Sequence, residues 1–268
     1  MNKQSRKILF IVSWVLLMVY LVGGLNFSTN RADEVICNSV RVVVRDSANY
    51  RFVTSAMIKK LMTEAGKMPI GVPITGINTK ELEDNISQMV AVRNVQAYKL
   101  QNGVLQIDVK QRKPIVRIFN ANNQSYYIDV EGRVMPTLSN FSAHVLVVSG
   151  NIREPFTPKV NVDVTRWNDS LYNGTEPLVC KILGLARYIE RHKFWSSQIE
   201  QIYVDGPNDV CLIPTVGPHT IVLGEIDGYE KKLKKLMAFY TEALPYEGWN
   251  RYKSINLKYS NQIICTKR

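Results

Sequence analysis

Residues 92–110 read VRNVQAYKLQNGVLQIDVK, and this stretch decides the fold of the first part of the chain. From Leu105 to Val109 apolar and polar residues alternate, which is the period of a strand with one buried face. Asn102-Gly103 separates this run from the strand-like residues Val92 to Leu100, and Asn-Gly is the strongest short signal for a hairpin turn. The stretch therefore predicts a β-hairpin.

Upstream of this hairpin, strand periodicity is followed by two stretches of helical periodicity. Val40, Val42 and Val44 recur at every second position, as on one face of a strand, and apolar residues then recur at helical spacing after Thr54, a residue type that caps helices. A loop rich in Gly and Pro follows, and Asn78 with Glu81 predicts the start of a second helix. The order from Cys37 to Lys110 is thus β-α-α-β-β.

After Pro114 the chain predicts a second body of short strands and two long helices. One helix begins near Pro177 and ends near His192, and the other covers Tyr229 to Leu244. The predicted strands are residues 115–120, 126–129, 144–150, 199–204, 210–214, 220–223, 254–259 and 262–266. The fold class is therefore α+β, with a mainly antiparallel sheet in this second body.

The N-terminal region predicts a membrane anchor. Ile8 to Leu25 reads ILFIVSWVLLMVYLVGGL, an uncharged run that as a helix is about 27 Å long and so nearly matches a hydrocarbon core of about 30 Å. Lys3, Arg6 and Lys7 precede it, which places the N-terminus in the cytoplasm and the remainder outside. A cleaved signal peptide is the alternative, but it usually has a shorter apolar region and a small-residue cleavage site.

These patterns predict five consecutive regions. They are a cytoplasmic tail at 1–7, a transmembrane helix at 8–25 in the lipid bilayer, a linker at 26–36, a first domain at 37–112 and a second domain at 113–268. The composition agrees with folded domains, because 46% of the residues are hydrophobic and 21% are charged.

Positive charge is concentrated near the end of the chain, within a formal net charge of +11. The predicted last helix carries Lys231, Lys232, Lys234 and Lys235. Such a run is either the solvated face of an amphipathic helix or a surface for an acidic partner or an anionic envelope surface. Because this region is predicted to lie outside the cell, we expect no nucleic-acid partner.

Sequence motifs for catalysis and cofactor binding are absent. The chain has no H-E-x-x-H, G-x-S-x-G, phosphate-loop or G-x-G-x-x-G pattern, and its three histidines stand in unrelated contexts. We therefore expect no enzymatic activity, no cofactor, no metal and no small-molecule substrate. Of the four cysteines, Cys211 and Cys265 are the first candidates for a disulfide outside the cell, while separate, buried thiols are the favoured interpretation.

Four short motifs occur in order behind the predicted anchor. They are Gln111-Arg112-Lys113-Pro114; Tyr126-Tyr127-Ile128-Asp129 with Gly132; Val222-Leu223-Gly224 with Lys232-Leu233 and Leu236; and Ile255-Asn256-Leu257-Lys258-Tyr259. Together with the order of elements, they resemble the FtsQ/DivIB family of bacterial cell-division proteins over nearly the whole chain. Asn256 stands where that family more usually has Asp.

This resemblance implies a POTRA domain for the first module and a hinge at Arg112 and Pro114. It also implies a scaffold at the division septum that binds single-span partners of the FtsB (DivIC) and FtsL types. Two other classes stay open at this point. One is a POTRA-containing envelope assembly or translocation factor, and the other is a membrane-anchored envelope enzyme.

Sheet physics then suggests where a partner binds. A terminal strand at the edge of a sheet has unpaired N–H and C=O groups, with which a partner strand can pair by β-augmentation. The alternative is that this edge only completes the core. The predicted partner-binding residues are Ser254, Ile255, Asn256, Leu257, Lys258, Tyr259, Gln262, Ile263, Ile264, Cys265 and Thr266.

Overall fold

The computed structural model of the chain describes residues 10, 12–22, 35–48, 50–154, 162–166 and 176–268. It divides into two compact units, Met1–Gln111 and Arg112–Arg268.

The first unit has the predicted β-α-α-β-β order. Its sheet runs β1-β3-β2, with β1 parallel to β3 and β2 antiparallel to β3. The elements are β1 (Ser39–Arg45), α1 (Ser55–Glu64), α2 (Thr79–Ser87), β2 (Val92–Lys99) and β3 (Val104–Gln111).

Local signals position the two helices of this unit. The side chain of Thr54 accepts a hydrogen bond from the Met57 amide at 3.2 Å, and that of Asn78 accepts one from the Glu81 amide at 3.2 Å. These bonds satisfy amides that a helix leaves unpaired at its N-terminus. The buried side chains of both helices and of β3 form the core of the unit: Ile58, Met62, Leu82, Ile86, Leu105, Ile107 and Val109.

The predicted hairpin turn is also present. Gly103 has φ +78°, a conformation that glycine adopts without strain, and the Leu100 amide donates to the Val104 carbonyl across the turn. A methyl group on Gly103 would lie 2.6 Å from the Ile36 carbonyl oxygen, so the turn also needs glycine for space.

The predicted transmembrane segment is described only in part. Residues 10 and 12–22 are helical with exposed side chains, while 8, 9, 11 and 23–25 lie outside the described residues, as does most of the predicted linker. Among the residues that are described, no helix has both the length and the apolar character that crossing a membrane requires.

The second unit is one nine-stranded sheet with helices packed on it, in the order β12-β11-β10-β9-β8-β7-β4-β5-β6. Its helices are α3 (Leu178–Arg191), α4 (Lys193–Gln198), α5 (Tyr229–Ala238) and α6 (Leu244–Glu247). Its strands are β4 (Pro114–Phe119), β5 (Ser125–Asp129), β6 (Val134–Pro136), β7 (Leu146–Gly150), β8 (Ile199–Gly206), β9 (Asp209–Pro214), β10 (Thr220–Gly224), β11 (Tyr252–Asn256) and β12 (Ile264–Lys267).

This sheet is mixed, which refines the prediction of a mainly antiparallel one. Five strand pairs are antiparallel, but β4 pairs with β7, β7 with β8 and β10 with β11 in parallel. Helices α3 and α4 lie between β7 and β8, and α5 and α6 lie between β10 and β11. A helical crossover returns the chain in the same direction, so these two pairs are parallel.

The predicted helix from Tyr229 to Leu244 is interrupted by a π-helical turn at Phe239–Ala243. Pro245 lies two residues after its end, and because proline has no amide hydrogen it cannot donate to the carbonyl four residues before it. The wider turn allows Tyr240 and Leu244 to be buried together with Leu233 and Leu236.

The candidate disulfide between Cys211 and Cys265 is wrong. Cys211 lies on β9 and Cys265 on β12, with β10 and β11 between them. Three strand spacings amount to about 14 Å, and a disulfide requires Cα atoms closer than about 7 Å. Both thiols are free, half-buried groups, and burial raises the pKa of each.

A buried histidine lies in an aromatic cluster beside the π-helical turn. His219 is 2% exposed, and its Nε2 lies 2.6 Å from the Tyr240 hydroxyl. Its ring also packs against Trp249, and its Nδ1 has no hydrogen-bond partner among the described residues. Burial lowers the pKa of His219 below its ordinary value of 6.5 because the charged ring is poorly solvated there.

We therefore predict that the free energy of unfolding falls as the pH drops below 6.5. The unfolded chain binds a proton at His219 more readily than the folded chain does. The contribution of the neutral ring to the free energy of unfolding is therefore complete above pH 6.5 and is lost as the pH falls from 6.5 towards the lower pKa of His219 in the folded chain. The slope is at most about 1.4 kcal/mol per pH unit. His219→Gln should flatten this slope in denaturation at pH 7.5 to 5, whereas His144→Gln, at an exposed position, should not. Equal slopes in both variants would contradict the assignment.

Candidate partner-binding edge

β12 is the last strand of the sheet, with β11 on one side and no described strand on the other. It pairs antiparallel with β11, Ser254 opposite Thr266 and Asn256 opposite Ile264. Ile255 is completely buried and Cys265 packs against the core, so the inner face of this strand pair is fixed by packing. The other edge of β12 is open as far as the described residues go.

The structure corrects the predicted limits of both β11 and β12. β11 ends at Asn256 because its side chain accepts a hydrogen bond from the Lys258 amide at 2.9 Å, which turns the chain. Leu257, Lys258 and Tyr259 therefore follow the strand. Gln262 and Ile263 precede β12, which begins at Ile264 and extends one residue beyond Thr266.

The hydrogen-bond pattern shows which backbone groups of β12 are available. The Arg268 amide donates to the Arg251 carbonyl at 3.1 Å, so Arg268 faces the sheet. Successive residues of an antiparallel strand alternate between facing their neighbour and facing away from it. Cys265 and Lys267 therefore direct their N–H and C=O groups towards the open side.

Lys235 of α5 holds the loop between β11 and β12. Its Nζ donates to the carbonyl oxygens of Tyr259 and of Gln262, the latter at 3.1 Å, and lies 3.5 Å from that of Leu257. Burial lowers the pKa of this ammonium, which the three carbonyl groups solvate in place of water. The loop is thereby tied to the helix, which fixes the start of β12.

We predict that Lys235→Met loosens this loop. The substitution keeps the length of the side chain but removes its charged hydrogen bonds, so we expect a loss of about 1 kcal/mol in unfolding free energy and faster hydrogen exchange in residues 257–264. Lys234→Met, at an exposed neighbouring position, is the matched control and should change neither quantity. Unchanged exchange in both variants would show that Lys235 does not hold the loop.

The four predicted basic residues of this helix do not form one free surface. Lys232 donates to the Glu225 carbonyl at 2.5 Å and so binds the turn before α5, while Lys235 holds the loop described above. Lys231 and Lys234 are exposed. Lys232 precedes the buried Leu233, Lys234 follows it and Lys235 precedes the buried Leu236, so no local pattern distinguishes the bound pair from the exposed pair.

Lys258 links the end of β11 to the middle of the sheet. Its Nζ pairs with Asp209 at 2.9 Å, and its aliphatic part crosses Gly224, where a methyl group would lie 2.7 Å from Lys258 Cγ. Gly224 also has φ +74°. The Val222-Leu223-Gly224 motif therefore needs glycine because the lysine of the following motif passes over it.

The other two motifs meet at Asp129. Its Oδ1 accepts hydrogen bonds from the amides of Glu131 and Arg133 at 2.9 and 2.7 Å, which shapes the turn at Gly132. Its Oδ2 accepts one from Arg112 at 2.8 Å. Arg112 thus binds within the second unit, and Pro114 begins β4.

Charged and apolar side chains surround the open edge. Lys253 and Lys267 are exposed, and Arg251 pairs with Glu247. Tyr259 is 49% exposed and Ile264 is 42% exposed. From Tyr229 to Arg268 nine Lys and Arg residues stand against three Glu. The edge therefore offers backbone hydrogen bonds, apolar contacts and a positive field to an extended acidic segment.

Comparison with known proteins decides the family. A family model described as FtsQ/DivIB, C-terminal related, matches residues 113–266, and a POTRA-like domain matches residues 35–110. The first match covers more than half of the chain. The chain belongs to the FtsQ/DivIB family. A curated relative, the cell division protein FtsQ of Rhodothermus marinus, is 23% identical over 197 residues, which is 72% of this chain and 67% of that protein.

Membership of the FtsQ/DivIB family implies a role in cell division, and the first unit is a POTRA-like domain. In the described part of the chain, no three His, Cys, Asp or Glu side chains are grouped as metal ligands.

Proposed function

We propose that this chain is a membrane-anchored scaffold of the bacterial division machinery, located at the septum with its two domains outside the cytoplasm. In this role it has no catalytic activity and holds other division proteins together. Its partners are single-span proteins of the FtsB (DivIC) and FtsL types, and they dock on the second unit.

The open edge at β12 is the observation that carries this proposal. A partner strand added beside β12 would pair with the outward groups of Cys265 and Lys267, while Ile264 and Tyr259 supply apolar contact. Lys253, Lys267 and the exposed lysines of α5 favour a partner segment with acidic residues, and charge complementarity mainly raises the association rate and the specificity.

The anchor is the second part of the proposal. Ile8 to Leu25 carries no charge, and basic residues precede it, so the segment would cross the bilayer with the N-terminus in the cytoplasm. A reporter that is active only outside the cytoplasm, fused after Arg268, should then be active. Detection of a mature N-terminus near residue 25 by mass spectrometry would contradict a retained anchor.

Co-purification tests the scaffold role. The tagged full chain, crosslinked in cells and then purified, should recover the FtsB-type and FtsL-type proteins of the same genome. The alternative class, an envelope assembly factor with a POTRA domain, should instead recover an outer-membrane barrel protein. Recovery of the barrel protein without the division proteins would contradict the proposal.

A further inference from the structure

A groove lies between α3 and the start of α5 in the second unit, and it is called the helix groove below. Its volume is about 500 Å³, which is within the range of ligand-binding pockets. The positions that α3 contributes are three or four residues apart and so share one helical face. The lining residues are Gly184, Arg187, Tyr188, Arg191, His192, Tyr229 and Glu230. None of these residues belongs to β11 or β12, so the helix groove is separate from the edge described above.

The two arginines of the helix groove have no acidic partner among the described residues. The Nε–H of Arg187 donates to the Val130 carbonyl at 2.9 Å, which fixes the guanidinium and leaves its two terminal NH2 groups without a partner in the described part of the chain. Arg191 follows one turn later and is exposed. Like charges four positions apart on a helix repel each other. An anion bound between these two guanidinium groups would therefore stabilise them.

Other charged side chains of α3 do have partners of opposite charge. Lys181 pairs with Asp227 at 2.6 Å, and Glu190 pairs with Lys113. The arginines of the same helix thus differ from its other ions in having no partner within the described residues. Their positive charge is available to a ligand.

Aromatic rings supply the apolar surface of the helix groove. The rings of Tyr188 and Tyr229 meet edge to face, with centroids 5.4 Å apart and planes at 63°, and His192 stacks on Tyr188 at 6.2 Å. Rings tilted in this way offer contact to an apolar side chain rather than a flat stacking platform. Burial, and after it the carboxylate of Glu230, raise the pKa of Tyr229, so the acid of the groove lies beside this tyrosine.

Gly184 keeps the helix groove open. Glycine in the middle of a helix is unfavourable relative to alanine. The backbone does not require glycine here, since Gly184 lies within α3, and a methyl group would lie 3.6 Å from the Tyr229 hydroxyl, an ordinary contact distance. A side chain longer than a methyl group would extend into the space beside Tyr229. The helix therefore carries a residue that weakens it where a larger one would fill the groove.

We propose that the helix groove binds an extended acidic segment of a partner protein, at a site beyond the proposed docking at β12 and independent of it. Arg187 and Arg191 are four residues apart, a rise of about 6 Å along the helix, and side chains at alternate positions of an extended chain stand about 6.7 Å apart on one side. Two acidic side chains at alternate positions can thus each pair with one arginine. The side chain between them faces the opposite wall, where Tyr229 gives apolar contact.

Charge complementarity decides the nature of the occupant. The described lining residues include two arginines and one acid, and a neutral segment would leave both guanidinium groups without a partner. Arginine binds carboxylates in a defined, often bidentate geometry, which gives specificity as well as attraction.

Fluorescence anisotropy with a labelled peptide tests this site on the full chain, purified in a nonionic detergent. The probe is the rhodamine-labelled peptide Gly-Ser-Glu-Val-Glu-Ser-Gly, and the same peptide with Gln in place of both Glu is its uncharged counterpart. Arg191→Gln removes one arginine of the groove at an exposed position. Lys193→Gln, the matched control, removes an exposed cation that does not line the groove. Gly184→Met places a flexible side chain in the groove, and Lys267→Pro disrupts the edge at β12.

We expect the acidic peptide to bind at least about fivefold more tightly than its Gln counterpart, and Arg191→Gln to weaken it about fivefold. Lys193→Gln should weaken it less than about twofold, and Lys267→Pro should leave it unchanged. Gly184→Met should abolish binding without lowering the unfolding midpoint, because methionine favours the helix more than glycine does.

Four results would overturn the proposal. They are no binding of the acidic peptide at millimolar concentration, equal binding of the two peptides, equal weakening by Arg191→Gln and Lys193→Gln, and unchanged binding in the folded Gly184→Met chain. Weakening by Lys267→Pro without weakening by Arg191→Gln would place the acidic segment at the β12 edge instead, which would overturn the groove site and leave the proposed function intact.

Discussion

Gly150→Ala should destabilise the second unit by about 3 to 5 kcal/mol, which is a large part of the stability of an ordinary domain. Gly150 ends β7, in the middle of the sheet, opposite Val204 of β8. A methyl group there would lie 2.0 Å from the Val204 carbonyl oxygen, and the φ of +115° is a conformation that L residues rarely adopt. Backbone strain at this φ and overpacking each cost about 1 to 3 kcal/mol, and β8 would have to move away from β7.

The matched control for this substitution is Gly206→Ala. Gly206 ends β8, and a methyl group there would meet nothing within 4 Å. Denaturant unfolding followed by circular dichroism should show a lower midpoint for Gly150→Ala and a nearly unchanged one for Gly206→Ala. Identical midpoints for the two variants would mean that β7 and β8 are not packed as described.

Lys267→Pro should weaken partner binding by about tenfold or more, equivalent to at least about 1.4 kcal/mol. Proline removes the outward amide of Lys267, and its ring occupies the side on which a partner strand would lie. An edge strand tolerates proline where the amide faces solvent, so the pairing of β12 with β11 should survive. Residue 262, outside β12 and held by Lys235, is not a suitable site for this test.

Lys267→Ala separates the loss of charge from the loss of the amide. It removes the same ammonium group but keeps the backbone donor, so it should weaken binding only slightly and mainly through the association rate. Binding to the FtsB-type partner is compared by titration, at a temperature at which both variants give the circular dichroism of the parent. Equal affinities for the two folded variants would exclude the amide of β12 from the interface.

Local patterns predicted the elements whose determinants lie close together in sequence. The alternation around Asn102-Gly103, the caps at Thr54 and Asn78, and the apolar stripe of α5 depend on neighbouring residues, and the structure confirms them. The order of the first unit followed from these signals alone. Strand limits were less accurate, since the end of β11 depends on a side-chain hydrogen bond of Asn256.

Features that depend on residues distant from one another in sequence were not predicted, because local patterns do not record them. The three-residue strand β6 and the short helix α4 are too brief to show a period, and the parallel pairs β7-β8 and β10-β11 depend on where the helices return the chain. The separation of Cys211 from Cys265 follows from the strand order, which no local pattern reveals.

The candidate site was predicted in part. The terminal strand pair and the basic helix were visible as an alternating run and a charge run. The contacts of Lys235 with the loop carbonyls and of Lys258 with Asp209 join residues more than twenty positions apart, so no local pattern predicts them. Only folding assigns Lys235 to the support of the edge and leaves Lys231 and Lys234 exposed.

Backbone hydrogen exchange at β12 tests the central claim most directly. In the free chain the amide of Thr266, which faces β11, should exchange slowly, and those of Cys265 and Lys267 should exchange rapidly. Saturation with the extracytoplasmic segment of the FtsB-type partner should strongly slow hydrogen exchange at the amides of Cys265 and Lys267, while exchange at Thr266 stays slow. Rapid exchange at both residues in the saturated complex would show that the partner does not add a strand to this edge.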